Sequence, residues 1–245
     1  MRIVDAFWEK RNLSVDCVEI TIEKHDILSQ LEEICNQLNT IDYVVVKVPV
    51  ARIDINEYLT KLGFVFIEGS VNFQLNIKDA YLSPLQQRLN ASISYSEMEE
   101  NDLAQLYAEI EYGLFKTDRI LLDSYFTEKQ AAIRYINWIK DELERTTQAY
   151  KIVYKEDAIG FFTFKEVSEN TYYPFLAGLY SKYANSGLGF TTLRKPIEEV
   201  LRRNGKLIST FASTNNPLVV RAHLQQGFTI GDTQYVYIKH NNKKV

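Results

Sequence analysis

The chain has 245 residues, with 28 Lys and Arg against 32 Asp and Glu, a formal charge of -4. This mild acidity argues against a broad nucleic-acid-binding face, which shows as clustered excess Lys and Arg. With 46% hydrophobic residues, 10 Gly and 5 Pro, the chain is neither collagen-like nor low-complexity, and it has no apolar run of about 18 residues to cross a membrane.

The N-terminus, MRIVDAFWEKRN, is charged from its start and does not read as a secretory signal. Residues 16–23 alternate polar and apolar and read as a half-buried strand. Asp26 is placed to cap a helix whose apolar face is Ile27, Leu28, Leu31, Ile34, Cys35 and Leu38. Residues 43–48 read as a buried strand ended by Pro49. Asp54 opens a short helix through Tyr58, Leu59 and Leu62, which Gly63 stops. Residues 64–75 follow as a strand pair or one long bent strand. The β-α-β-α-β order makes residues 1–90 a small α/β domain, with 78–95 as the connection to a second domain, 91–245.

The second part opens with a helix over 97–112 that has an acidic first turn. A second helix, 127–145, is capped by Thr127 and carries a broad apolar stripe. Strands follow at 150–154 and 158–167, separated by a turn, and a third at 170–180 with Pro174 marking a bulge. A helix over 189–203, a strand over 206–213, a helix over 216–226 and a strand over 233–240 complete the chain. LTKLGF (59–64) and HLQQGF (223–228) each end a helix with Gly-Phe and lead into a strand. This echo reads either as a partial duplication or as ordinary helix-ending punctuation.

Chemistry concentrates in 176–191, LAGLYSKYANSGLGFT, where a strand runs through a polar loop and Gly187-x-Gly189 into a helix. Glycines there let backbone amides approach a phosphate at the positive helix end. No Lys-Ser/Thr follows them, so this is not an ATP-binding P-loop, and the three-glycine dinucleotide pattern is not met. Alone, the pair reads equally as a tight turn. Downstream stands NNPLVVRAHLQQGF (215–228). Together the two segments resemble the GNAT superfamily of acyl-CoA-dependent N-acetyltransferases. Ala184-Asn185-Ser186-Gly187-Leu188-Gly189 stands at its first motif, and Asn216, Val219, His223 and Gly227-Phe228 at its second. The front half, together with FKTDRILLDSYF (115–126) and the Trp-containing helix after it, resembles the dTDP-fucosamine acetyltransferase branch.

The resemblance implies an α/β GNAT fold of mixed sheet, preceded by a truncated GNAT-like domain. It implies N-acetylation of a primary amine by acetyl-CoA through direct transfer, with a dTDP-linked amino sugar of polysaccharide biosynthesis as the acceptor. A peptide N-terminus, a polyamine or an antibiotic is the alternative acceptor, and a CoA-binding module without catalysis is the alternative of a different class. Backbone around Ala177 and Leu179 would hold the pantetheine arm. Asn185, Ser186, Gly187, Leu188 and Gly189 would hold the pyrophosphate, with Asn216 from the second motif. An N–H from Leu179 or Tyr180 would polarise the thioester carbonyl.

Two positions depart from the family pattern. Ala184 replaces a Gln or Arg, and His223 replaces the tyrosine that protonates the CoA thiolate in many members. His223 is then an acid, a base, or a packed helix residue. Phe115, Arg119 and Asp123 lie in the segment that covers the acceptor in that branch, where Arg119 would pair with a diphosphate or else make a structural salt bridge. Tyr172 and Tyr173 are aromatic candidates for the acceptor, or ordinary sheet residues. Cys17 and Cys35 read as core thiols, and with three histidines no metal site is expected. The sum is a cytoplasmic enzyme with small-molecule partners, no nucleic acid, no membrane, and a homodimer by family analogy.

Overall fold

The computed structural model describes residues 1–241. In chain order the elements are β1 (Arg2–Asp5), α1 (Trp8–Leu13), β2 (Cys17–Thr21), α2 (Leu28–Gln37), β3 (Tyr43–Pro49), α3 (Ile53–Lys61) and β4 (Val65–Asn76). Then come α4 (Pro84–Asn90), β5 (Ile93–Glu97), α5 (Glu100–Glu111), α6 (Arg119–Leu122), α7 (Glu128–Leu143), β6 (Gln148–Tyr154) and β7 (Asp157–Ser168). The rest is β8 (Thr171–Tyr173), β9 (Ala177–Leu179), α8 (Thr191–Arg202), β10 (Leu207–Ser213), α9 (Pro217–Gln225) and β11 (Thr229–His240).

Among the described residues, eleven strands join one mixed sheet in the order β1-β2-β3-β11-β4-β10-β8-β7-β6-β5, with β9 paired to β7. The centre of the sheet is interleaved. β11, the last strand, lies between β3 and β4, while β4 from the front of the chain lies between β11 and β10. The β3-α3-β4 and β10-α9-β11 units therefore each span a strand of the other. Each helix ends at a glycine with positive φ, Gly63 (+80°) and Gly227 (+94°), followed by Phe64 and Phe228 buried in the core. The Gly-Phe echo corresponds to this pair of intertwined units.

Alternation decides the two faces of the sheet. Val18, Ile20, Val44 and Val46 point to one side, where Leu31 and Cys35 of α2 and Ile55 and Leu59 of α3 close over them. Cys17, Tyr43, Val45, Val236 and Ile238 point to the other, under Leu13 of α1, Ile120 of α6, Ala131 of α7 and Phe126 from the turn between α6 and α7. Further along that second face the residues turn polar and the helical cover stops, which leaves a cleft.

Some local expectations differ from the structure. Asp26 does not cap α2: its Oδ1 accepts from the Met1 ammonium and its Oδ2 from the Glu23 amide. The stretch 78–95 holds α4 and β5, since Ser83 and Gln86 form a capping box with Pro84 at the first helical position. The expected strand over 170–180 is two short strands broken at 174–176. β1 and α1, four and six residues long, fall in a stretch that carried no periodic signal.

Candidate functional site

The cleft on the second face has a volume of about 1650 Å3 and runs from the start of α8 to the middle of the sheet. It begins where two strands separate. β8 pairs in parallel with β10 at Thr171 and Tyr172, opposite Leu207 and Ile208. The Thr210 hydroxyl then donates to the Pro174 carbonyl (2.9 Å), and beyond this point β9 pairs with β7 alone. Thr163 of β7 fixes the break. Its amide and hydroxyl both donate to the Leu176 carbonyl, at 2.8 and 3.0 Å, and its Oγ1 accepts from the Leu176 amide at 2.9 Å.

Strand amides alternate in direction. The Tyr180 amide donates to the Ile159 carbonyl of β7 (2.9 Å), so the amides of Ala177 and Leu179 face the opening. Of the two N–H groups expected to serve a carbonyl, Tyr180's is thus already engaged and Leu179's is free to point into the cleft. The Tyr180 side chain is buried among residues of α5 and α7, without lining the cleft.

The other wall is the start of α8. Gly187 has φ +78°, and a Cβ on Gly187 or Gly189 would meet nothing within 4 Å. Leu188, between them, is buried and anchors the turn in the core. The Ser186 hydroxyl donates to the Tyr183 carbonyl (2.7 Å) and accepts from the Leu188 amide (3.2 Å). Among the described residues, the amides of Asn185, Gly187 and Gly189 have no protein acceptor. Three such donors at the N-terminus of a twelve-residue helix with no acidic residue in its first turn favour an anion there. Gly189 lines the cleft, while Asn185, Ser186, Gly187 and Leu188 do not. Asn216, at the start of α9, also lines it, and its Oδ1 caps the Val219 amide (3.2 Å).

His223 lines the cleft but is buried, 3% exposed, with its ring stacked on Phe73 (4.5 Å) and edge-on to Phe228 (4.9 Å). Its Nδ1 lies 2.8 Å from the Val219 carbonyl. A carbonyl only accepts, so Nδ1 carries the proton and a neutral ring keeps its lone pair on Nε2. Burial lowers the imidazole pKa, and the Val219 bond opposes this only in part.

The far end of the cleft is an ionic chain built from five elements. Arg134 of α7 reaches Glu9 of α1 (2.7 Å), Arg119 of α6 reaches Glu9 (3.5 Å) and Glu19 of β2 (2.5 Å), and Lys47 of β3 reaches Glu19 (2.9 Å). Glu9 is fully buried, and the Arg119 Nε is buried without a partner. Burial would raise the Glu19 carboxyl, but Arg119 and Lys47 outweigh it and hold it well below the usual range. Arg119 therefore lines the cleft while already paired within the protein.

Phe115 also lines the cleft, stacked on Tyr135 (4.3 Å), as does Tyr173. Tyr172 points the other way, buried and stacked on Phe164 (4.9 Å). Asp123 lies outside the cleft and accepts from His240 Nε2 (2.7 Å). Among the described residues, no group of three or more His, Cys, Asp and Glu could hold a metal ion, and no helix is long and apolar enough to cross a membrane.

The sequence reading did not single out Glu68 and Ser70 of β4 or Ser213 of β10, which lie together in the cleft. The one available signal was Glu68 itself, a carboxylate inside the otherwise uncharged strand FVFIEGSVNF.

No family model matches the chain, and no curated protein matches it. Solved structures do. A GCN5-related N-acetyltransferase from Sphaerobacter thermophilus superposes with TM-score 0.59 at 10% identity, over 94% of this chain and 74% of that one. One from Kribbella flavida gives 0.58 at 11%, over 91% and 81%. The GCN5-related glucosamine N-acetyltransferase region of a fungal multi-domain GH3 β-N-acetylglucosaminidase gives 0.63 at 9%, over 97% of this chain and 31% of that one. At such identities the likeness is one of architecture, and on it the chain has the fold of the GCN5-related N-acetyltransferases.

Proposed function

We propose that the protein is an N-acetyltransferase that moves an acetyl group from acetyl-CoA to a primary amine. One observation carries the reading: the opening between β9 and β10 leads in a single cleft to the amide-rich start of α8. An extended pantetheine arm fits an unpaired strand edge, where the amides of Ala177 and Leu179 would serve as β-ladder donors. A pyrophosphate fits the start of α8, where Gly189 lines the cleft and the neighbouring amides of Asn185 and Gly187 also lack a protein acceptor, with open space over both glycines. When bound, the thioester supplies an activated acyl carbon. In this reading the Leu179 amide donates to its carbonyl oxygen, and His223, which lines the same cleft, offers Nε2 as a proton acceptor.

For the acceptor we propose an amino sugar, in the first instance a dTDP-linked one made for polysaccharide biosynthesis. A mixed wall of Phe115, Tyr173 and other aromatics beside Arg119, Arg134 and Lys47 supports an acceptor with both a stacking face and an anionic group. The fungal neighbour is also named for an amino sugar. In this reading residues 1–90 form a reduced GNAT-like domain and 91–245 the acetyl-CoA-binding one. A cytoplasmic setting accords with two buried free thiols, Cys17 and Cys35.

Thermal unfolding with acetyl-CoA tests the first step. At about 100 Kd a specific ligand adds about 2.7 kcal/mol, or roughly 5–10 °C for a chain of this size. No shift at millimolar acetyl-CoA overturns the reading. After a shift, transfer to a dTDP-amino sugar, free glucosamine and spermidine is compared. Preference for spermidine would overturn the amino-sugar assignment.

A further inference from the structure

We infer that Glu68, on the strand that the front of the chain inserts between β11 and β10, takes the proton from the incoming ammonium. The inference rests on the acetyltransferase reading. It begins from register. Ser70 lies opposite Ser213 across the β4 and β10 ladder, and Glu68 lies opposite Val236 on the other side of β4. Glu68, Ser70 and Asn72 share the face that floors the cleft, while Val71 and Phe73 point into the core behind it. His223 stacks on Phe73 and therefore reaches the cleft from the far side of the sheet. The two groups approach the opening from opposite faces, with Glu68 on the side of the acceptor wall.

The other carboxylates of the cleft are committed, save Glu144 at its rim. Glu19 is paired with Arg119 and Lys47. Asp118 caps the Ile120 and Leu121 amides at the start of α6. Asp141 holds Arg11 through both oxygens, Glu142 holds Lys165 and Arg145, and Asp232 holds Lys24. Glu144 is exposed at the end of α7. Glu68 is half-buried, shares the cleft with Ser213, and has no cation within ion-pair distance among the described residues. The charged groups facing it are Arg119 and Asp118 from the α6 segment and Lys47 from β3. Burial raises the carboxyl above its ordinary value, and Ser213, Arg119 and Lys47 offset part of that rise. A cleft-facing carboxylate without an ion-pair partner, raised above its ordinary value, is a stronger base than a free one.

The step balances without a further reagent. The Glu68 carboxylate removes one proton from the ammonium and leaves a free amine. The amine lone pair forms the new C–N bond at the thioester carbon. The C–S bond breaks with its electrons on sulfur, and the second nitrogen proton ends on the thiolate. Glu68 then returns its proton to solvent. The products are amide, CoA thiol and one proton.

The test is kcat/KM against pH for the wild type, Glu68→Gln and Ser213→Ala, with acetyl-CoA and the best amino sugar of the panel above. Acetyl-CoA affinity is measured separately by calorimetry. Glu68→Gln is expected to lose 10²–10⁴ in rate and its acid limb, with acetyl-CoA affinity within about twofold. Ser213→Ala removes a hydroxyl that lowers the Glu68 pKa, so its acid limb is expected at higher pH. An active wild type with Glu68→Gln within threefold of it, or with an unchanged acid limb, overturns the assignment alone. A wild type that neither binds acetyl-CoA nor transfers acetyl to any amine overturns the enzyme reading and this assignment with it.

Discussion

A Cβ added to Gly160 would stand 2.4 Å from the Gly178 carbonyl oxygen and 3.0 Å from the Leu179 Cα. Thus β7 and β9 meet backbone to backbone where β9 has parted from β10. Gly160→Ala must therefore push β9 into the opening, because the obstacle is main chain and cannot rotate away. β7 keeps its pairing with β6 and β8, so the fold is expected to survive. Acetyl-CoA affinity is expected to fall at least tenfold in a titration, with a far-ultraviolet spectrum like that of the wild type. Unchanged affinity would show that the position of β9 does not govern binding.

A charge at position 189 distinguishes helix stability from the proposed anion binding. A side chain there meets nothing within 4 Å, and the following helix has no acid in its first turn. Gly189→Asp places a negative charge at the positive helix end, which stabilises a helix by about 0.3–1 kcal/mol. The same charge opposes a pyrophosphate. The variant is expected to melt at or above the wild-type temperature while acetyl-CoA affinity drops more than tenfold. A variant that melts normally and binds normally would place the phosphates elsewhere.

Much of the architecture is legible in the sequence because it rests on periodicity and punctuation. Thr127 caps α7 as its side chain suggests, and Lys155 and Glu156 turn β6 into β7 with positive φ. The Gly-Phe pairs mark two units whose intertwining is nevertheless invisible, because nothing local says that β11 will settle between β3 and β4. Long-range pairing also decides the ionic chain at the far end of the cleft. Arg119 meets Glu19 across 100 residues, and Arg134 meets Glu9 across 125. Neighbouring tyrosines show the limit of alternation. It requires Tyr172 and Tyr173 to face opposite ways, but which one meets the cleft depends on the register of β8 against β10. The capping oxygen of Asp26 went to the chain's own N-terminus, a partner that a propensity rule does not consider.

His223 makes stability depend on pH with a definite sign. Burial sets its folded pKa below the ordinary value near 6.5. The unfolded chain then binds the proton more readily, so the contribution is complete above about 6.5 and is lost as pH falls below it. His223→Phe keeps an aromatic ring against Phe73 and Phe228 but cannot titrate. Urea midpoints of the variant are expected to fall less than those of the wild type between pH 7 and pH 5. His25 and His240 remain in both proteins, so the difference isolates position 223. Parallel midpoints would show that the folded protein accepts the proton at no cost.

Glu199 of α8 is fully buried and accepts from Tyr95 and Tyr150 (both 3.1 Å) and from Arg202 and Arg203 (both 2.6 Å). Burial would raise its carboxyl, but the hydrogen bonds from Arg202 and Arg203 outweigh it and bring it to about 2. A folded pKa below the unfolded one near 4.5 gives stability that is present above 4.5 and is lost as pH falls toward 2. Glu199→Gln leaves the guanidinium of Arg203 and two tyrosine hydroxyls without their charged partner, at a cost of about 3 kcal/mol near neutrality. The gap between wild type and variant, read from urea midpoints, is expected to be constant from pH 7 to about pH 5. It should narrow below pH 4.5, as protons remove the same charge from the wild type. A constant gap down to pH 3 would assign the loss to packing, and a gap under about 1 kcal/mol at pH 7 would mean that α8 is held to β6 by its apolar face alone.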